Sequence, residues 1–167
     1  MGLVIRHAEK QDVAEIKAIY EQPHVIAGTL QLPFPSVGMW EQRLEKLGEG
    51  NYNLVATIDD RVVGQLLLTA CSNPRKRHVA TFGMAVCATE LRKGVGRGLL
   101  QAALDMCDNW LNVTRVELQV FSDNEAAIRL YEQMGFLKEG EHPDYANKGG
   151  MLVSAITMAR IKDTRLV

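Results

Sequence analysis

Two stretches of this chain carry residue types whose spacing could do chemistry. The first is Leu91-Arg-Lys-Gly-Val-Gly-Arg-Gly98, with glycine at 94, 96 and 98 and cations at 92, 93 and 97. A glycine inside a helix costs about 1 kcal/mol against alanine, so three at the head of a helical pattern need a reason. Successive backbone N–H groups at a helix N-terminus are one, because they bind an anion. Glycine also lets the main chain approach a phosphate with no Cβ between. The plainer reading is a tight strand-to-helix turn that needs glycine for its backbone angles. Two other phosphate signatures do not fit. The pattern G-x-x-x-x-G-K-[ST] is absent, since Lys93 precedes Gly94 and no Ser or Thr follows. The fingerprint G-x-G-x-x-G fails at its third glycine, where Leu99 stands.

The second stretch begins at Ser122-Asp-Asn-Glu125. Ser122 and Glu125 have capping-box spacing, and Asp123 or Asn124 would serve as the cap equally well. Tyr131 follows Asn124 by seven residues. Seven helical steps place both side chains on one face, ~10.5 Å apart in rise. An amide and a phenol so aligned could grip one elongated ligand. The competing reading has Asn124 capping the helix and Tyr131 packing in the core.

The elements that position these residues follow from hydrophobic spacing. Leu3–Arg6 reads as a short strand. Asp12–Gln22 reads as a helix with Val13, Ile16, Ile19 and Tyr20 on one face, ended by Pro23. Residues 23–38 hold Pro23, Pro33, Pro35, Gly28 and Gly38 and read as a loop. Val37–Leu47 resumes helical spacing. Tyr52–Ile58 and Val62–Thr69 read as strands around an Asp59-Asp60-Arg61 turn. A third strand, Val79–Val86, follows the basic run Arg75–His78. Gly94–Leu111 is the longest helix, Val116–Val120 a strand, and Asn124–Met134 a helix stopped by Gly135. Gly150–Ile161 closes the chain with a strand-like stretch. The expected order is βααβββαβαββ. That is a mixed α/β (α+β) fold with a mostly antiparallel central sheet and helices on both faces.

The length of 167 residues predicts one domain, 1–167, able to bury its own core. With 47% hydrophobic and 23% charged residues the composition is globular, which excludes disordered, collagen-like and coiled-coil classes. A formal net charge of −1 gives no basic footprint for nucleic acid. No apolar run reaches the ~18 residues of a membrane helix, and the N-terminal stretch from Met1 does not read as a signal peptide. Cys71, Cys87 and Cys107 are odd in number and lack a C-x-x-C, which predicts reduced thiols in a cytoplasmic protein and no metal. Each thiol on its own reads as a small buried hydrophobe.

Taken together, the glycine turn, the long helix, the next strand and Asn124-Glu-Ala-Ala-Ile-Arg-Leu-Tyr131-Glu-Gln-Met-Gly135-Phe136 resemble the signature of the GNAT superfamily of acetyl-CoA-dependent N-acetyltransferases. The likeness is close over about residues 79–137, and the element order extends it to the whole chain. Thr29–Ser36 and the His78-Val79 strand entry are similar to a bacterial subgroup, some members of which are assigned to acetylation of free L-amino acids.

The resemblance implies roles. Main-chain N–H groups of Arg92, Lys93, Gly94, Val95, Gly96, Arg97 and Gly98 would hold the pyrophosphate of acetyl-CoA. The strand Phe82–Val86, with Met84, Ala85 and Val86, would pair with the pantetheine arm, and one of its N–H groups would polarise the thioester carbonyl. Asn124 would contact the pantetheine region, and Tyr131 would protonate the departing thiolate. Such chemistry needs no covalent enzyme intermediate, although Cys87 stands near the strand end. Two departures stand out. Leu91 replaces the Gln or Arg usual three residues before the first glycine. Ala80-Thr-Phe82 replaces a stretch that often carries a Glu as general base, leaving His78 or a water chain for that role. The acceptor is expected between the first two helices, with Thr29, Gln31, Phe34 and Trp40, together with Phe82, lining its pocket.

The leading expectation is therefore an N-acetyltransferase acting on a primary amine of a small metabolite, such as a free L-amino acid, through a ternary complex. The other readings are a protein or peptide N-acetyltransferase and a non-catalytic acyl-CoA sensor. A homodimer is expected on the resemblance, with no nucleic-acid or membrane partner.

Overall fold

The computed structural model describes residues 2–163; Met1, on which part of the signal-peptide reading rests, lies outside them. In chain order the strands are β1 (Val4–His7), β2 (Asn51–Ile58), β3 (Arg61–Ala70), β4 (Val79–Val86), β5 (Arg115–Phe121), β6 (Leu137–Lys148) and β7 (Met151–Ile161). The helices are α1 (Val13–Tyr20), α2 (Pro23–Gly28), α3 (Val37–Glu45), α4 (Val95–Asn109) and α5 (Glu125–Gln133). The strands form one sheet of order β1-β2-β3-β4-β5-β7-β6. The β1/β2, β2/β3, β5/β7 and β6/β7 pairs are antiparallel, and β4/β5 is parallel. The expected mixed, mostly antiparallel sheet is thus present.

The order differs from the expected one by a single helix. Residues 23–28 are helical, not loop. Pro23 occupies the first helical turn, where its missing N–H is not needed, so the proline that ends α1 also begins α2. β6 was legible only as an unplaced strand before the last one. Its polar run, Lys138-Glu-Gly-Glu-His-Pro-Asp144, has no period-two pattern because the strand is exposed along most of its length, and its register with β7 shifts twice. Asp59 and Asp60 both take positive φ, 51° and 61°, which suits the tight β2/β3 hairpin.

The described residues divide into two compact units, 2–69 with 83–104 and 70–82 with 105–163. In the first, α1 and α2 bury Ile16, Ile19, Tyr20 and Val25 with Val55, Val62 and Ala85. Gly64 lets the head of α4 approach β3, since a Cβ there would lie 2.9 Å from a Val95 methyl. The unit also holds a buried polar chain: the Tyr20 hydroxyl donates to Gln65 Oε1 at 2.5 Å, and Gln65 Nε2 donates to Asn53 Oδ1 at 2.5 Å.

Asp12 is the buried charge of this unit, and it is fully engaged. It accepts two hydrogen bonds from the Arg6 guanidinium, at 2.7 and 2.9 Å, and one from the Glu9 N–H at 2.7 Å. The Arg6 hydrogen bonds hold its carboxyl below the ordinary 3.8. A depressed folded value means that the stabilisation is complete above that ordinary value and is lost as pH falls through the lower one. Asp12→Ala should cost about 2 kcal/mol, less than a fully buried pair because Arg6 is one-third exposed. A lower urea midpoint at pH 7, with the gap to the parent closing at acid pH, would show it.

In the second unit, β5 alternates from Arg115 to Val120, and buried Phe121 ends the pattern. Val116, Leu118 and Val120 are buried on one face, while Glu117 and Gln119 stand on the other. Arg115 pins β5 to β6 through Glu139 while also donating to Glu117 on its own strand, and Arg160 of β7 holds Asp108 of α4 with two hydrogen bonds at 2.9 and 2.7 Å.

Candidate active site

The glycine turn lies in the first unit. After β4 the chain makes a 3-10 turn, Ala88–Glu90, and then two left-handed residues, Arg92 at φ 63° and Gly94 at φ 85°. Gly94 is there for that angle, which an L side chain rarely adopts. α4 starts at once, so the N–H groups of Val95 and Gly96 have no acceptor within the helix. A Cβ on Gly94 would meet nothing within 4 Å, so the space beside this residue is open. Exposed Arg92 adds positive charge. The Lys93 ammonium is 3.2 Å from Glu90, which offsets part of its charge.

Gly98 departs from its expected role. Its N–H donates to the Gly94 carbonyl at 2.9 Å and is spent. A Cβ there would come within 2.8 Å of Leu3, so the glycine serves the packing of α4 beside β1.

Along the second half of β4, Ala85 is buried while Met84 and Val86 are half-buried. The Val86 carbonyl is paired with His24 Nε2 at 2.9 Å. His24 was not anticipated, because the segment containing it read as a loop. The Cys87 N–H donates to Val63, and its sulfur lies 3.4 Å from both Gln22 Nε2 and Thr89 Oγ1. Burial pushes the Cys87 thiol up, but these hydrogen bonds outweigh it and leave the thiol below its ordinary value.

The residues expected to line an acceptor pocket mostly hold one another. Thr29 caps the end of α2 by donating to the Val25 carbonyl, and Gln31 accepts from Arg43 at 2.8 Å. Arg43 lies 4.8 Å over the Trp40 ring, which stacks on Tyr20 at 4.5 Å. Trp40 is therefore packed against the core, and its buried indole N–H has no partner among the described residues. Phe34 contradicts the expectation: at 95% exposure and φ 63° its ring lines nothing.

In the second unit Phe82, Tyr131 and Phe136 form an aromatic triad, with centroids 5.7, 6.0 and 5.9 Å apart. Desolvation in these surroundings pushes the Tyr131 phenol up to about 12. It stays protonated at neutral pH and is a hydrogen-bond donor there. Asn124 is the N-cap of α5; its Oδ1 accepts the Ala127 N–H at 3.3 Å, and Ser122 is not the cap. The cap uses Oδ1 and leaves the Nδ2 group of Asn124 outside the helix hydrogen bonding. Asn124→Ala should cost about 1 kcal/mol of stability and also weaken acetyl-CoA binding, which a melting curve with and without acetyl-CoA would separate.

His78 is exposed just ahead of β4, where its carbonyl accepts from the Thr114 and Arg115 N–H groups. Four residues of strand, roughly 13 Å, separate it from Phe82. β4 and β5 pair only over Val79–Thr81 and Arg115–Glu117, so Phe82 is the first β4 residue past the joined part.

Residues 9–136 match the model of the acetyltransferase (GNAT) family. The chain belongs to the GNAT family. Over 160 residues this GNAT enzyme is 46% identical to the L-amino acid N-acetyltransferase AaaT of Escherichia coli, a match covering 96% of this chain and 98% of that one. It is 25% identical over 141 residues to the spermidine N(1)-acetyltransferase of Vibrio cholerae, covering 83% and 80% of the two chains. Among solved structures, the phosphinothricin acetyltransferase of Sinorhizobium meliloti in complex with AcCoA superposes with a TM-score of 0.87 at 21% identity, covering 100% of this chain and 93% of that one, and shows the shared fold. The protein is accordingly an N-acetyltransferase that uses acetyl-CoA as co-substrate. Among the described residues no helix is long and apolar enough to cross a membrane.

Proposed function

We propose that this GNAT enzyme transfers the acetyl group of acetyl-CoA to the α-amino group of free L-amino acids by direct attack in a ternary complex. The observation that carries the reading is the 46% identity to an L-amino acid N-acetyltransferase over nearly all of both chains.

Each part of the site has a task in that reaction. The main-chain donors of Arg92 to Arg97 take the diphosphate, with Gly94 and Gly96 giving it access. Main-chain groups of Met84, Ala85 and Val86 align the pantetheine arm and polarise the thioester carbonyl. A fixed N–H donor at a developing oxyanion is worth about 10²–10³ in rate. Tyr131 hydrogen-bonds to the sulfur as the C–S bond breaks. A phenol near 12 is a poor acid toward a thiolate near 8.5, so full transfer needs the sulfur to share its apolar surroundings, which raise the thiolate as well. Asn124 supports the same arm through its amide.

The amine must lose a proton before it attacks. Solvent water on the exposed side of β4 takes it, because His78 would need a bridge of several waters over roughly 13 Å. His78→Ala should therefore lower kcat less than tenfold, read from initial rates between pH 6 and 9.

We further place the enzyme in the cytoplasm as a homodimer. Three free thiols suit a reducing compartment, and exposed Leu30, Leu32 and Phe34 suit pairing. A mass of one chain by light scattering would reject the dimer. The function itself is tested by thiol release from acetyl-CoA over the twenty amino acids, simple amines and short peptides. Turnover greatest with free amino acids supports it; turnover confined to peptides or polyamines overturns it.

A further inference from the structure

Within the second unit, one face of the sheet carries a polar constellation that the roles above leave unused. The last paired rung of β4 and β5 is Thr81 opposite Glu117. Gln119 is the next residue of β5 on the face of Glu117, roughly 6.6 Å further along. It lies opposite Thr157 of β7, and its amide is exposed. The Tyr145 hydroxyl of β6 donates to Gln119 Oε1 at 2.5 Å, which engages the carbonyl end of that amide and leaves its Nε2 end to donate elsewhere. Tyr145 is itself fixed edge-on against Phe121, centroids 6.4 Å apart, and beside the His142 ring at 6.0 Å. His142 in turn bonds Thr157 Oγ1 at 2.8 Å.

As strand glue this arrangement is poorly chosen. A neutral hydrogen bond between exposed groups adds little stability, and two apolar residues would serve a sheet as well. What it does supply is an amide donor of fixed direction beside the place where β4 and β5 part. The polar ends of an α-amino acid match the face in sequence order. The Glu117 carboxylate, hydrogen-bonded by Arg115 Nε at 2.8 Å, suits an ammonium, and the Gln119 amide two residues on suits a carboxylate. Phe82 follows Thr81 by one residue and points to the other face of the sheet, where its ring meets that of Tyr131 on α5. The amine can then reach the thioester carbonyl only through the gap where β4 and β5 part.

We infer that Gln119, oriented by Tyr145, is the specificity residue that binds the α-carboxylate of the acceptor. The inference rests on the amino-acid reading above and adds to it the group that tells an amino acid from a plain amine. Gln119 lies within residues 9–136, the part matched by the family model, whereas Tyr145, which orients it, lies beyond them on the C-terminal hairpin.

The test compares the free amino acid that the wild-type enzyme turns over fastest with the carboxamide of that same amino acid. Wild type should favour the free acid. Gln119→Glu places a carboxylate against a carboxylate. It should raise KM for the free acid at least tenfold, leave KM for the carboxamide and for acetyl-CoA within about twofold, and so remove or invert the preference. Tyr145→Phe frees the amide without removing it and should raise KM for the free acid several-fold with kcat nearly kept. A general loss of packing would instead lower kcat for both acceptors alike. If wild type acetylates free amino acids and both variants keep its acid-to-amide ratio, this inference is overturned and the amino-acid reading stands. If wild type turns over no free amino acid, both fall together.

Discussion

Tyr131→Phe is expected to lower kcat by about 10²–10³ while acetyl-CoA binds within about threefold of wild type. The substitution removes one hydroxyl and keeps the ring, so the contacts with Phe82 and Phe136 survive and the fold should melt at nearly the same temperature. The loss should fall on kcat, because the hydroxyl is asked to act only as charge develops on sulfur. The pH profile adds a second reading. With the phenol pushed up to about 12 by burial, ionisation of Tyr131 should not cut the wild-type rate near neutral pH. Any basic limb seen nearer neutrality then belongs to another group and should persist in Tyr131→Phe.

Gly94→Val should have the second large effect, this time on binding. A φ of 85° costs an L residue about 1–2 kcal/mol, and a β-branched one more, whatever the space around it. The turn escapes that strain only by rotating, and rotation takes the Val95 and Gly96 N–H groups off a common anion. Hydrogen bonds to a charged group are worth about 1.5–3 kcal/mol each. The dissociation constant for CoA should rise about 10- to 100-fold, measured by calorimetric titration. Gly48→Ala is the control, since its Cβ would meet nothing within 4 Å and its backbone needs no left-handed angle. It should bind CoA as wild type does.

Much of this site is written in local sequence, and the reasons are physical. The turn and the Asn124–Tyr131 helix were legible because their signals are short-range: glycines next to cations before a helix, and a cap seven residues ahead of a phenol. α4 was legible from its wide apolar face. What failed was non-local. Pro23 reads as a stop signal, and only the path of the chain shows that it also starts α2. The fate of Phe34 depends on a backbone angle between two prolines that no periodicity encodes. Gly98 looked like its two neighbours in the motif, yet its reason is Leu3, ninety-five residues earlier. The couple of Gln119 with Tyr145 joins β5 to an exposed strand whose polar run carries no alternation. Partners that meet only across a sheet leave no mark in either segment.

The claim most of the account depends on is that bare main-chain donors at the start of α4 seat a diphosphate. Titrating the purified enzyme with CoA and, separately, with pantetheine, which has the same thiol arm and no diphosphate, tests this directly. The account predicts that CoA binds at least a hundredfold more tightly than pantetheine and that Gly94→Val erases most of that difference. Equal affinities for the two, in an enzyme that otherwise binds the arm, would contradict it.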